Sequence, residues 1–297
     1  MLSVAGLRLR IGSPGRRVRE PDDAVYADFV GPTGAGPADI DITLVPGAPA
    51  AAPGPLVFDT GVAWSLHREP AGFRLAFRSG PDGADDLQLV CDEGFDRVTA
   101  FVDEVAPEVR SIPSPLRYPV DQLVLLHHLA LRGGVIVHAA GVVLEGRAYA
   151  LCGVSGAGKT TVARAFIAAG LGERLLSDDR LIVRRSPEGG YLAWGTPWPG
   201  DARVARNAGA PLAALVFLAQ EPAAGATCRL VPLAADEALQ RLLPVVSCPW
   251  YDERRAGEVL DTCGALVMGH PCLELRSGLD APLVDALHAL ADDLAAP

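Results

Sequence analysis

Apolar and polar residues alternate over part of residues 2–11, which predicts a half-buried β-strand there. Residues 40–45, 72–78 and 87–91 carry the same kind of short run. Between them, residues 31–37, 46–55 and 79–86 are dense in Gly, Pro, Ala and Asp, the residue types that make turns and loops. Many short strands with this punctuation predict a β-rich N-terminal domain built on an antiparallel sheet. Prolines at 107, 113, 115 and 119 then mark a boundary, placed after residue 115.

From residue 116 onward the period changes. Leucines recur at helical spacing over residues 120–131, predicting an amphipathic helix that Gly133 and Gly134 stop. Residues 135–137 and 148–152 predict strands joined by a hairpin turn at Glu145-Gly146-Arg147. The second strand runs into a glycine loop, and residues 161–169 follow with Val162, Phe166 and Ile167 on one helical face, ending at Gly170. Strand, glycine loop, helix, strand is an α/β pattern, and residues 116–297 form the second predicted domain. No internal repeat is visible.

Composition narrows the function classes. Of the 297 residues 49% are apolar and 21% charged, an ordinary globular balance with a core of useful size. The net charge of −10 argues against the nucleic-acid backbone as main partner, since that affinity rests on clustered Lys and Arg. The longest apolar runs, such as residues 212–219, fall far short of the roughly 20 residues a bilayer needs, so no membrane partner is expected. The N-terminus lacks the pattern of a secretory signal. Six cysteines without regular spacing suit reduced thiols in a cytoplasm. A zinc site from Cys248, Cys263, His270 and Cys272 is disfavoured by the lack of a C-x-x-C knuckle.

The segment Gly153-Val154-Ser155-Gly156-Ala157-Gly158-Lys159-Thr160 fits G-x-x-x-x-G-K-[ST] at every fixed position, followed by Thr161. Glycines let successive backbone N–H groups turn inward toward phosphate oxygens, and the helix that follows adds its N-terminal donors and dipole. Lys159 is the cation for the β and γ phosphates, and the Thr160 hydroxyl is a Mg²⁺ ligand. The expected ligands are therefore ATP and Mg²⁺. A few residues beyond the loop helix, Leu175-Leu176-Ser177-Asp178-Asp179 predicts a strand ending in two carboxylates. Phosphoryl transfer to a hydroxyl uses one carboxylate to hold the metal and can use another to accept the acceptor's proton. Adjacent residues on an extended strand point to opposite sides, so the two acids need not share one task.

His138-Ala139-Ala140-Gly141, the hairpin, the glycine loop, the helix and Ser177-Asp178-Asp179 together resemble the HPr serine kinase/phosphorylase family. The likeness is greatest to the HPr-kinase-like proteins found with ribosomally made, modified peptides; the segments Gly195-Thr196-Pro197-Trp198-Pro199-Gly200 and Cys248-Pro249-Trp250-Tyr251 also resemble that subgroup. It spans roughly residues 120–290. The resemblance implies a fold shared with ATP-dependent phosphoenolpyruvate carboxykinase. It implies that Lys159 and Thr160 take the phosphate and metal positions, Asp179 the metal-side acid, Asp178 the base for a serine hydroxyl, and His138 a place near the transferred phosphate; the reverse assignment of the two acids stays open. Bifunctional members carry an acidic residue directly after the loop's Ser or Thr, where this chain has Thr161, and their downstream signature is not recognisable. Phosphorylase activity and HPr itself as substrate are therefore not implied.

Arg203 and Arg206 follow the 195–200 loop and are candidates for stabilising charge on the transferring phosphoryl group, against the alternative of solvated surface arginines. Trp194 and Trp198 flank the same loop and are read as packing residues, against the alternative of contact with substrate or adenine. The run of residues 250–253 is read either as a peptide-binding patch or as a helix cap, and His127 and His128 are given no role. The expectation is thus an α/β P-loop kinase domain of HPr kinase/phosphoenolpyruvate carboxykinase type, preceded by a β-rich N-terminal domain. Its acceptor would be a hydroxyl of a peptide, a protein or a small molecule, with homo-oligomerisation left open. Two other classes stay in view: a non-catalytic ATP-binding accessory protein of a peptide-modification pathway, and a carboxykinase-like or nucleotidyl-transferring metabolic enzyme.

Overall fold

The computed structural model describes residues 1–21, 23–31, 37–78, 85–103, 106, 109–221, 227–278 and 282–295. The chain divides into two compact units, Met1–His128 and Leu129–Pro297. The proline-rich stretch around residue 115 lies within the span of the first unit, and most of the loops expected at 31–37 and 79–86 lie outside the described residues.

The first unit holds strands β1 (Leu2–Val4), β2 (Leu7–Gly12), β3 (Arg17–Arg19), β4 (Ile40–Pro46), β5 (Leu56–Asp59), β6 (Trp64–Glu69), β7 (Gly72–Arg78), β8 (Asp85–Asp92), β9 (Arg97–Val102) and β10 (Ser111–Pro113). Eight of them form one sheet in the order β1-β2-β4-β9-β8-β7-β6-β5, and β10 pairs with β3. The expected single strand over residues 2–11 is a hairpin. Ala5 and Gly6 both adopt positive φ (54° and 71°), the turn geometry that matches the twist of two short strands, so β1 folds back on β2. The sheet is also mixed rather than antiparallel: β4 runs parallel to both β2 and β9, because long intervening segments supply the crossovers that parallel neighbours require.

Helix α1 (Val120–Ala130) forms where the leucine spacing predicts it, yet it is buried on nearly every side instead of along one stripe. Asp121 at its start is fully buried and accepts the Tyr26 hydroxyl proton at 2.7 Å; the same hydroxyl accepts the Tyr118 backbone N–H at 2.9 Å. His127 stacks on Phe95 with ring centroids 4.5 Å apart, and its Nδ1 lies 2.7 Å from the Leu123 carbonyl. These are packing contacts.

The second unit is a mixed α/β assembly of β11 (Gly134–Leu144), β12 (Arg147–Cys152), α2 (Lys159–Ala168), β13 (Leu175–Ser177), β14 (Arg180–Arg185), β15 (Tyr191–Trp194), β16 (Gly209–Gln220), β17 (Cys228–Pro232), α3 (Ala235–Leu242), β18 (Val246–Ser247), α4 (Glu253–Gly269), β19 (Cys272–Ser277) and α5 (Leu283–Ala295). The hairpin between β11 and β12 turns at Glu145 and Gly146, both with positive φ. Strand β12 lies between β11, to which it is antiparallel, and β16, to which it is parallel; β16 in turn runs parallel to β19. One face of this sheet is covered by α2 and α5, whose Val162, Phe166, Leu287 and Leu290 pack with Tyr149, Leu151 and Val216. The other face is covered by α3 and α4, where Leu242, Val259, Cys263 and Leu266 pack with Ala150, Cys152 and Leu215. Each Val, Leu or Phe among them, once fully buried, contributes about 1.5–3 kcal/mol relative to exposure. Ile167 does not join Val162 and Phe166: it is exposed, and Ala163 fills that face of α2.

Among the described residues no helix is long and apolar enough to cross a membrane.

Candidate functional site

The centre of the site is set by strand β11, which pairs with β14 over Gly134–His138 and with β13 at Gly141. His138 stands opposite Arg180, and Gly141 opposite Ser177, so the two pairings share one register. Between them the ladder is open at Asp178 and Asp179. The Ser177 hydroxyl accepts the backbone N–H groups of Asp179 and Arg180, both at 3.3 Å, a local side-chain bond that competes with strand pairing. Residues 195–206 lie along the far side of the gap: Arg206 N–H donates to the Leu176 carbonyl at 3.1 Å, and Ser177 bridges to Ala205.

The two acids then face different ways. Asp178 is 1% exposed, and its carboxylate accepts backbone N–H groups from Gly200 (2.9 Å), Ala202 (2.7 Å) and Val204 (3.1 Å). Asp179 turns toward the glycine loop. Its Oδ1 lies 2.7 Å from His138 Nε2 and its Oδ2 accepts Arg180 Nη1 at 2.7 Å. Burial alone would raise the Asp179 pKa; the hydrogen bond from His138 and the charge of Arg180 outweigh it and hold this carboxyl below its ordinary value.

The glycine loop joins β12 to α2. Gly156 and Gly158 adopt φ of 82° and 109°, conformations that side chains with a Cβ strongly disfavour. Gly158 is also the N-cap of α2, and no side chain caps that helix end, so its first-turn donors are directed into the cleft. Lys159 is buried, and its ammonium donates to the carbonyls of Gly153 (2.8 Å) and Val154 (3.0 Å). Burial lowers its pKa below the ordinary lysine value, with the charge of Asp179 opposing that shift. Because β16 runs beside β12, its last residue reaches the loop: Gln220 Nε2 donates to the Gly156 carbonyl at 2.9 Å. Cys152, immediately before the loop, is a core thiol that burial pushes up to about 12, and is not a nucleophile at neutral pH.

These elements enclose an open cleft of about 530 Å³ lined by His138, Ser155, Gly156, Gly158, Lys159, Thr160, Thr161, Asp179, Gly200, Asp201 and Gln220. Of the residues predicted from sequence, His138, the loop residues from Ser155 to Thr161 except Ala157, and Asp179 line this space. Ala157 lines a smaller adjoining pocket, and Gly153 sits at the base of the loop, where a Cβ would meet that of Ala157 at 2.6 Å. Asp178, Arg203 and Arg206 are not among the lining residues. Arg203 holds a positive φ of 55° on the exposed side of the 200–204 turn, and Arg206 is tied to β13 through its backbone.

Trp198 is buried and Trp194 packs over Gly209, where a Cβ would lie 2.3 Å from the indole; both are packing residues. The run at 250–253 is a helix start: Asp252 caps α4 by accepting the Arg255 N–H at 3.0 Å and also pairs with the buried Arg255 guanidinium. Gly200 closes the 195–200 segment singled out in the sequence, where no site role was given to it. Three other residues escaped the sequence reading: Arg180 was detectable as the third charge after Ser177, whereas Asp201 and Gln220 carry no local signal and enter through the topology.

Compared with known proteins, the chain matches no family model, and no curated protein matches it.

Proposed function

We propose that the second unit is an ATP-dependent kinase domain, similar to the HPr-kinase-like proteins, that transfers the γ-phosphoryl group to a hydroxyl of a peptide, a protein or a small molecule. The observation that carries this reading is the convergence of Lys159 and Thr160 from the glycine loop with His138 of β11 and Asp179 of the break between β13 and β14 on one cleft. The positive-φ glycines, the uncapped start of α2 and the buried ammonium fit a triphosphate. The Thr160 hydroxyl and the Asp179 carboxylate are hard oxygen donors, and with phosphate oxygens they fit Mg²⁺, which keeps one or two protein ligands in such sites. When bound there, Mg²⁺ supplies neutralisation of phosphate charge.

In this reading Lys159 binds and offsets the phosphate charge, His138 and Arg180 hold Asp179 in orientation, and Gln220 fixes the loop through Gly156. Asp178, whose oxygens already accept three backbone N–H groups, anchors the 200–204 turn instead of serving as base. The test is incubation of the full chain with γ-labelled ATP and Mg²⁺ against serine-containing peptides, small polyols and a cell lysate. Labelled acceptor together with ADP supports the reading, and tight ATP binding without any ADP sinks it. That second result is the expectation for a non-catalytic nucleotide-binding accessory protein, the class that the commitment of Asp178 to backbone donors favours next.

A further inference from the structure

We infer that Asp201 is the carboxylate that takes the proton from the acceptor hydroxyl, and that Asp178 is the positioning residue that presents it. The inference rests on the kinase reading and deepens it.

Four titratable groups line the cleft. They are His138, Lys159, Asp179 and Asp201. Lys159 is cationic and donates to two loop carbonyls. His138 Nε2 and Asp179 Oδ1 are joined to each other at 2.7 Å, and the second oxygen of Asp179 receives Arg180. Asp178 is buried, is not among the lining residues, and accepts the backbone N–H groups of Gly200, Ala202 and Val204. Asp201 is exposed to solvent in the cleft wall.

The backbone explains why it stands there. The three donors to Asp178 come from alternate residues, 200, 202 and 204, so this stretch turns those N–H groups inward around one buried carboxylate. Gly200 presses against both acids: a Cβ on it would lie 3.0 Å from Asp178 Oδ2 and 3.1 Å from Asp179 Cβ. Its neighbour Asp201 thereby lines the same cleft as Asp179 and stands exposed to solvent there. A buried anion that collects backbone donors is a fixed peg; an exposed one beside the reacting groups is free to exchange a proton.

The step balances without a further reactant. The acceptor oxygen forms its bond to the γ-phosphorus as its proton passes to a carboxylate oxygen of Asp201. The bond between that phosphorus and the β–γ bridging oxygen breaks, and its electron pair leaves with ADP. Asp201 then returns the proton to solvent.

The test compares the wild-type full chain with Asp201→Asn, Asp201→Glu and Asp178→Asn, using Mg·ATP with a serine-containing peptide, glycerol and water as acceptors. Binding of Mg·ATP is measured in parallel by calorimetry. We expect Asp201→Asn to lower kcat about 100-fold or more while leaving the ATP Kd within about twofold, the range that loss of a general base produces. Asp201→Glu restores part of the rate. Asp178→Asn lowers both the rate and the melting temperature, because it loosens the turn. If Asp201→Asn keeps kcat within about threefold, or loses ATP affinity in proportion to rate, the assignment of Asp201 is overturned and the kinase reading stands. If the wild-type chain binds Mg·ATP and yields no ADP with any acceptor, the kinase reading itself falls and takes this assignment with it.

Discussion

The backbone N–H of Gly200 donates to Asp178 Oδ1 at 2.9 Å, while a Cβ at position 200 would stand 3.0 Å from the other oxygen of the same carboxylate. The hydrogen bond and the close approach require each other. Substitution Gly200→Ala is therefore expected to push the turn off its anchor. Overpacking of this kind costs about 1–3 kcal/mol. A lowered melting temperature, with ATP turnover reduced further than ATP affinity, checks it.

Lys159 is buried and bonded to two carbonyls of its own loop. Replacing it by Met keeps the apolar stem and removes the charge. Mg·ATP affinity should fall at least tenfold, equivalent to about 1.4 kcal/mol. Saturating nucleotide at about 100 times Kd stabilises a binding protein by about 2.7 kcal/mol. The wild-type chain should show that rise in melting temperature and Lys159→Met should lose most of it; chelation of Mg²⁺ should diminish the wild-type rise as well.

The Asp179 carboxyl is depressed below its ordinary pKa in the folded state, burial being outweighed by His138 and Arg180. A depressed carboxyl contributes stability that is present in full above the unfolded value, about 4, and is lost as pH falls through the folded value. Asp179→Asn should accordingly flatten the acid limb of the stability profile of the nucleotide-free chain. Denaturant melts between pH 3 and 7 read this directly, and an unchanged slope below about pH 4 would remove Asp179 from the account.

In the first unit, the Tyr26 hydroxyl serves the buried Asp121 and the Tyr118 N–H at once. Tyr26→Phe removes both bonds and leaves the ring in place. Loss of partners for buried polar groups costs about 1–3 kcal/mol. A shift of the denaturation midpoint with Mg·ATP affinity unchanged would place the effect in the first unit.

The sequence carries the glycine loop, the strand before it and the helix after it, because each depends on neighbours within a few residues. Periodicity puts Val162 and Phe166 on the buried face of α2, and it puts Ile167 there too, although Ile167 is exposed and Ala163 is buried in its stead. The hairpin at Ala5-Gly6 was hidden because an alanine in the left-handed region has no local signature. Strand periodicity places Asp178 and Asp179 on opposite sides; it does not say which side faces the cleft. That choice is made by residues 200–204, which reach the strand only through folding. Asp201 and Gln220 were illegible for the same reason: each reaches the cleft from a segment distant in sequence from the glycine loop.

The gap in the pairing of β11 has two residues on each side, bounded by His138 opposite Arg180 and Gly141 opposite Ser177. An even gap keeps the inward-facing side chains of both flanking strands inward. One residue added or removed between Ser177 and Arg180 would force a flank to slip and turn its buried set toward water, or leave the acids facing the wrong walls. The site is thus written in length as much as in composition. A single-residue insertion there would add to the register shift that the pairing of β13 with β11 already carries between Gly141 and Val142.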